Sequence, residues 1–103
     1  MQMRPACEAH VLLGQYERAI AVCEKIKGLN REDWMVDLLL AAAYAQNGDA
    51  AKTAAAKAEV LRRVPGYTIA TLKSRGFSLN PDYIRLAEEH WYSGLRKPGF
   101  PET

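Results

Sequence analysis

Residues 34–65 constrain this chain more than any other stretch. They carry two apolar-periodic segments joined at Gly48-Asp49 and closed by Pro65-Gly66. The pattern predicts two antiparallel helices with a tight hinge. Gly48 stands where a helix C-terminus needs a left-handed residue, a conformation that costs glycine least. Asp49 then caps the next helix through its carboxylate. After the hinge, Ala50, Thr53, Ala54, Lys57, Ala58, Val60, Leu61 and Val64 recur at helical spacing and predict its packed face. So many alanines on one face let a neighbouring helix approach closely.

An offset of 34 residues lays Gly14 on Gly48, Gln15 on Asp49, His10 on Tyr44, Ile26 on Val60 and Ala6 on Leu40. A period of 34 carried by helix–turn–helix units resembles the tetratricopeptide repeat family. The second unit matches that family's pattern at Leu40, Ala41, Tyr44, Gly48 and Pro65, and the first at Gly14, Tyr16, Ala19 and Ile26. Departures are Asp37 in place of an aromatic, Thr53 in place of alanine, Lys57 in place of a large apolar residue, and Arg31 in place of the first closing proline. The resemblance implies an all-α array of helical hairpins. Its repeats span about 4–30 and about 31–66, followed by a partial third helix and a capping helix over 67–97 and a tail over 98–103.

At 103 residues the chain holds one domain. An apolar fraction of 49% with 25% charged residues is that of an ordinary soluble protein. The net charge of +2 is weakly biased towards the second half, where basic residues from Arg63 to Lys97 are scattered among Asp82, Glu88, Glu89 and Glu102. That is no nucleic-acid stripe. The apolar run Leu38–Ala45 is too short to cross a bilayer, and Met1–Pro5 shows no signal-peptide core. Two cysteines without a dense framework predict a reducing, cytoplasmic setting.

In chain order, a short first helix is expected from Pro5 through Leu13, stopped by Gly14. Val11, Leu12 and Leu13 have little charge nearby, which predicts an end cut from a longer array or covered by a partner. The second helix, Tyr16–Lys27, turns Ala19, Ile20, Val22, Cys23 and Ile26 inward and ends at Gly28; Asn30 is the expected cap of the third. Beyond Pro65, Thr68–Ser74 makes two turns that Gly76 stops. Asn80-Pro81 starts a last helix, running to Arg96 or Lys97 with Tyr83, Ile84, Leu86, Ala87, Trp91, Tyr92 and Leu95 on its apolar face. This helix is expected to cover the open end of the array. The Arg-Gly-Phe turn, the Asn-Pro start and the closing Leu-Arg-Lys-Pro-Gly-Phe-Pro-Glu resemble the C-terminal tails of bacterial class III nucleotidyl cyclases and similar multidomain regulators. That resemblance implies a regulatory tail; no strand pattern or paired metal-binding aspartates of a cyclase site occur here.

Chemistry is sparse. Cys7 and His10 share one helix face and Cys23 faces them, a conceivable zinc set without a fourth ligand. Both cysteines fall on inward positions, and packing is the expected role. A Cys7–Cys23 disulfide is geometrically conceivable because the helices are adjacent, but it would be transient in a reducing cytosol. His90 sits among Glu88 and Glu89, but neighbours on a helix do not face one another. With no activated nucleophile and no phosphate loop, neither enzymatic activity nor a cofactor is expected.

The family resemblance implies a concave groove that takes a protein or peptide partner. Its positions are Arg4, Glu8, Val11 and Leu12 in the first unit, then Met35, Leu38, Ala42, Ala45 and Gln46 in the second. The third, incomplete unit offers Ile69, Leu72 and Lys73. Met35, Leu38 and Leu72 suit the apolar anchors of a partner helix or strand. Glu8 has the wrong sign for a carboxylate clamp, so chaperone C-terminal tails are not expected there. Two alternatives stand beside an open groove. The last helix fills it, or the chain self-associates (homodimerises) through its first helix or the Trp91–Tyr92 face.

Overall fold

The computed structural model describes residues 4–75 and 78–103, and all regular structure among them is helical. The elements are α1 (Arg4–Leu12), α2 (Tyr16–Leu29), α3 (Trp34–Gln46), α4 (Ala50–Arg63), α5 (Ile69–Lys73) and α6 (Pro81–Leu86). A π-helical turn over Ala87–Tyr92 then runs directly into α7 (Ser93–Arg96). Gly76 and Phe77, on which the stop of α5 and part of the Arg-Gly-Phe turn fall, lie outside the described residues. No helix among the described residues is long and apolar enough to cross a membrane.

The first two hairpins, α1–α2 and α3–α4, share the 34-residue offset at three of their four helix ends, while α3 starts four residues earlier in register than α1. Helix ends agree: Leu12 with Gln46, Tyr16 with Ala50, Leu29 with Arg63. So do the hinges. Gly14 and Gly48 have φ of 73° and 79°, in the region that side chains disfavour. Each is followed by a backbone N–H that reaches back five residues, from Gln15 to the His10 carbonyl at 2.8 Å and from Asp49 to the Tyr44 carbonyl at 2.9 Å. This is the left-handed helix stop the sequence predicts. The Asp49 carboxylate then accepts the Lys52 N–H at 3.1 Å, as expected of a cap.

Three local expectations are corrected. Gly28 does not end α2; it has an ordinary helical φ and the helix continues to Leu29. Asn30 does not cap α3. Its Oδ1 accepts the Glu32 N–H at 3.1 Å within the loop, and α3 starts only after Asp33, whose carboxylate pairs with Arg4 at 3.1 Å. On α4, Thr53, Ala56 and Val60 are buried, while Ala50, Ala54 and Ala58 are exposed. Burying a valine side chain stabilises far more than burying one methyl, so Val60 sets the rotation of the helix and the alanine row turns outward.

Helix α3 is the centre of the molecule. Every residue from Met35 to Tyr44 is buried, which fits a helix that is apolar on all sides. Asp37 is the exception in chemistry. Burial pushes its carboxyl above the usual carboxylate range, and the hydrogen bond and charge of Lys27, 2.9 Å away, pull the other way. Neighbours surround α3: α2 on one side, α4 on another, then α1, the π-turn and α7.

The last helix is not the continuous α-helix its spacing predicts. The Ser93 N–H bonds the Glu88 carbonyl five residues back, a π-type bond that widens one turn. The wider turn resets the register, and Ala87, Trp91, Tyr92, Gly94 and Leu95 are all buried. The Trp91 indole N–H donates to the Leu38 carbonyl at 3.3 Å. The tail then folds back. Phe100 is buried, and the carbonyls of Pro101 and Glu102 accept the Ile69 and Ala70 N–H groups at 2.9 and 2.8 Å. A five-residue helix such as α5 cannot satisfy its own first donors, and the tail supplies the acceptors.

At Gly94, α7 crosses α3 so closely that a Cβ there would lie 2.8 Å from the Ala42 carbonyl oxygen and 2.9 Å from its Cα. A helical glycine-to-alanine change normally gains about 1 kcal/mol. Gly94→Ala is instead expected to cost about 1–3 kcal/mol, since backbone has to move. Gly28→Ala, with nothing within 4 Å of its added Cβ, is expected to give the ordinary gain. Urea unfolding midpoints of the two variants check this; similar gains at both positions would contradict the close crossing.

Candidate functional site

The residues that the family resemblance assigns to a groove lie on α1, α3 and α5, and the chain's own last helix packs over α1 and α3. Val11, Leu12, Met35, Leu38, Ala42, Ile69 and Leu72 are all buried. Trp91 and Leu95, themselves buried, belong to the helix that covers α3. The polar groove positions are engaged as well. Glu8 accepts a hydrogen bond from the Tyr83 hydroxyl. Burial, then the bond to Glu8, pushes that phenol's pKa up, which keeps it a donor. The Gln46 amide nitrogen donates to the His90 carbonyl at 3.0 Å and to Ser93 Oγ at 2.8 Å. Lys73 Nζ lies 5.2 Å from the centre of the Tyr92 ring and 3.9 Å from Glu88. Arg4 is paired with Asp33. Ala45 is the exception, half-buried at the lip of a different surface. As an open site for a partner, the groove is therefore corrected: apolar walls that suit a foreign helix suit the chain's own Trp91 and Leu95 equally well.

Of the faces that self-association would use, Cys7, Val11 and Leu12 of α1 and Trp91 and Tyr92 of the π-turn are buried within the chain, whereas Leu13 is exposed.

Cys7 and Cys23 are joined as a disulfide, with Cα atoms 5.6 Å apart. That separation lies in the middle of the disulfide range. Two unpaired core cysteines were the sequence expectation; facing positions on adjacent helices bring the sulfurs together, and the inference of a reducing compartment loses its support. His10 turns away, its Nδ1 2.7 Å from Gln15 Oε1. Among the described residues no group of three or more His, Cys, Asp and Glu side chains is placed to hold a metal ion. His90 Nδ1 shares a hydrogen bond of 2.6 Å with the Tyr16 hydroxyl, and its Nε2 is 3.8 Å from Glu89. Burial holds the Tyr16 phenol above its usual pKa. This contact ties the π-turn to the start of α2.

One surface escaped the sequence reading. A cavity of about 550 Å³ lies between α4 and the end of the last helix, lined by Ala50, Ala54, Ala58 and Leu61 on one side and Lys97 and Pro98 on the other. The signal for it was present as the alanine row, which the spacing assigned to the packed side of α4.

No protein-family model matches the chain, and no curated protein or solved structure is significantly similar to it.

The paired cysteines give a direct check. The air-oxidised chain is expected to show no thiol reactive with Ellman's reagent, folded or in denaturant. Cys7 and Cys23 are separated by 16 positions. For a loop of that size, reduction is expected to lower the unfolding free energy by about 3 kcal/mol. Two thiols appearing on unfolding without reductant would contradict the bridge.

Proposed function

We propose that this chain is a non-catalytic protein-interaction module of the tetratricopeptide-like hairpin kind, with its working surface on the outside of the second hairpin. The observation that carries the reading is the congruence of the two hairpins. Three of the four helix ends, the left-handed glycines and the hinge hydrogen bonds recur at one 34-residue offset, and scaffolds of repeated hairpins commonly bind partners over extended faces. The absence of a metal-binding cluster among the described residues and the structural engagement of His90 and His10 favour shape and apolar complementarity over chemistry. Resemblance of the closing stretch to the tails of bacterial cyclases adds a context, a regulatory tail that brings a protein to an attached domain.

The inner groove is not the surface in this proposal, because opening it would expose Trp91 and Leu95, each 1% exposed. Complete burial of side chains this large stabilises by roughly 2–3 kcal/mol each. A partner would have to replace all of that before gaining anything.

The immobilised chain is expected to retain a protein from its source lysate in a saturable, equimolar complex. With purified components the Kd is expected to be about micromolar. By sedimentation the free chain is expected to stay a monomer. Retention of only a second copy, with a dimer that grows with concentration, would contradict the proposal and favour self-association.

A further inference from the structure

We infer that the outward face of α4 is a docking groove for an acidic amphipathic helix of a partner protein. This inference rests on the reading of the chain as an interaction module, and it names the surface and the chemistry of the occupant. Its floor is the row Ala50, Ala54 and Ala58, exposed and spaced by four, continued by Leu61. Rows at this spacing are the ridges on which helices interdigitate, and methyl side chains permit the short end of the 8–10 Å interaxial range. Inside the chain α4 packs through a different row, Thr53, Ala56 and Val60. The alanine row is therefore left without a helix, although its composition suits one.

Two lysines give the groove its sign, Lys57 reaching across from α4 itself and Lys97 standing on the opposite side. Lys57 Nζ donates to the Pro98 carbonyl at 2.8 Å, and Lys97 Nζ donates to Gln46 Oε1 at 2.7 Å. Both ammonium groups are thus held at the wall rather than left to swing in solvent. Lys27, Lys52 and Lys73 each have a carboxylate within 4.0 Å, whereas among the described residues Lys25, Lys57 and Lys97 have none. No acidic side chain lines the cavity. Two fixed positive charges beside an apolar floor match a helix with alanine or leucine on one face and glutamate or aspartate along one flank.

Size and shape select a helix over a small amphiphile. Eleven residue steps from Ala50 to Leu61 span about 16 Å, three turns, which a helix of about twelve residues covers. The cavity is more open than enclosed, whereas small-molecule sites enclose most of the ligand. Apolar contact supplies the affinity and the lysines supply the discrimination, since exposed ion pairs contribute only modestly.

The test is an NMR titration of the 15N-labelled chain with a capped synthetic helix of about twelve residues carrying leucine and alanine on one face and glutamates along a flank, beside its lysine-flanked counterpart. The acidic peptide is expected to bind saturably below about 1 mM. Its shifts are expected to centre on residues 50–61 and 97–98, and the lysine peptide is expected to bind about tenfold more weakly. Ala54→Glu, at an exposed position and checked for folding by its own spectrum, is expected to abolish binding. A Lys57→Glu, Lys97→Glu double variant is expected to reverse the preference. Equal affinity for both peptides, shifts centred elsewhere, or no binding at about 1 mM would overturn the inference. Lysate capture with wild-type and Ala54→Glu baits separates it from the broader reading. A saturable protein partner retained equally by both overturns the groove and leaves the interaction module standing; no partner for either bait, with no peptide binding, removes both.

Discussion

The close crossing of α7 over α3 at Gly94 and Ala42 is the contact on which the rest of the molecule depends. A helix buried along ten consecutive residues, Met35 to Tyr44, needs cover on every side. The two hairpins cover only part of it. The remainder is closed by the π-turn and α7, and backbone can come this near only because residue 94 lacks a Cβ. A glycine inside a helix forfeits about 1 kcal/mol of propensity; the burial of Trp91 and Leu95 that it permits more than offsets this.

The same contact decides which surfaces stay open. Once the last helix occupies the inner surface, Glu8, Gln46 and Lys73 become ties that hold it rather than determinants for a ligand. The outer side of α4 is left with an alanine row, a cavity and two lysines without carboxylate partners among the described residues. The tail folds back as well, and its carbonyls secure α5.

What could be read from the sequence was local or periodic. Gly14 and Gly48 announce their hinges because a left-handed residue is a requirement of one backbone position, independent of neighbours. Asp49 and Asn80 announce caps for the same reason, and they accept a backbone N–H three and two residues on; Thr68 caps α5 in the same way without having been expected to. The 34-residue offset was legible because it recurs. What escaped depends on tertiary packing. Gly28 looks like a stop but has no partner that demands one. Rotation of α4 hangs on Val60 against alanines that carry almost no preference of their own. The π-turn answers to Gly94 reaching Ala42 and Trp91 reaching Leu38, contacts more than fifty positions apart in sequence for each pair. The pairing of Cys7 with Cys23 was visible as geometry but set aside on an argument about compartment.

Hydrogen exchange at the Trp91 indole tests the central claim most directly, that the last helix belongs to the core and closes the inner groove. The group is buried and donates to the Leu38 carbonyl on α3. Exchange is expected only through global unfolding, with a protection free energy equal to that from denaturant unfolding. Exchange through a local opening, several kcal/mol below the global value, would contradict it. The last helix would then be a displaceable lid, and the inner groove would return as the surface a partner uses.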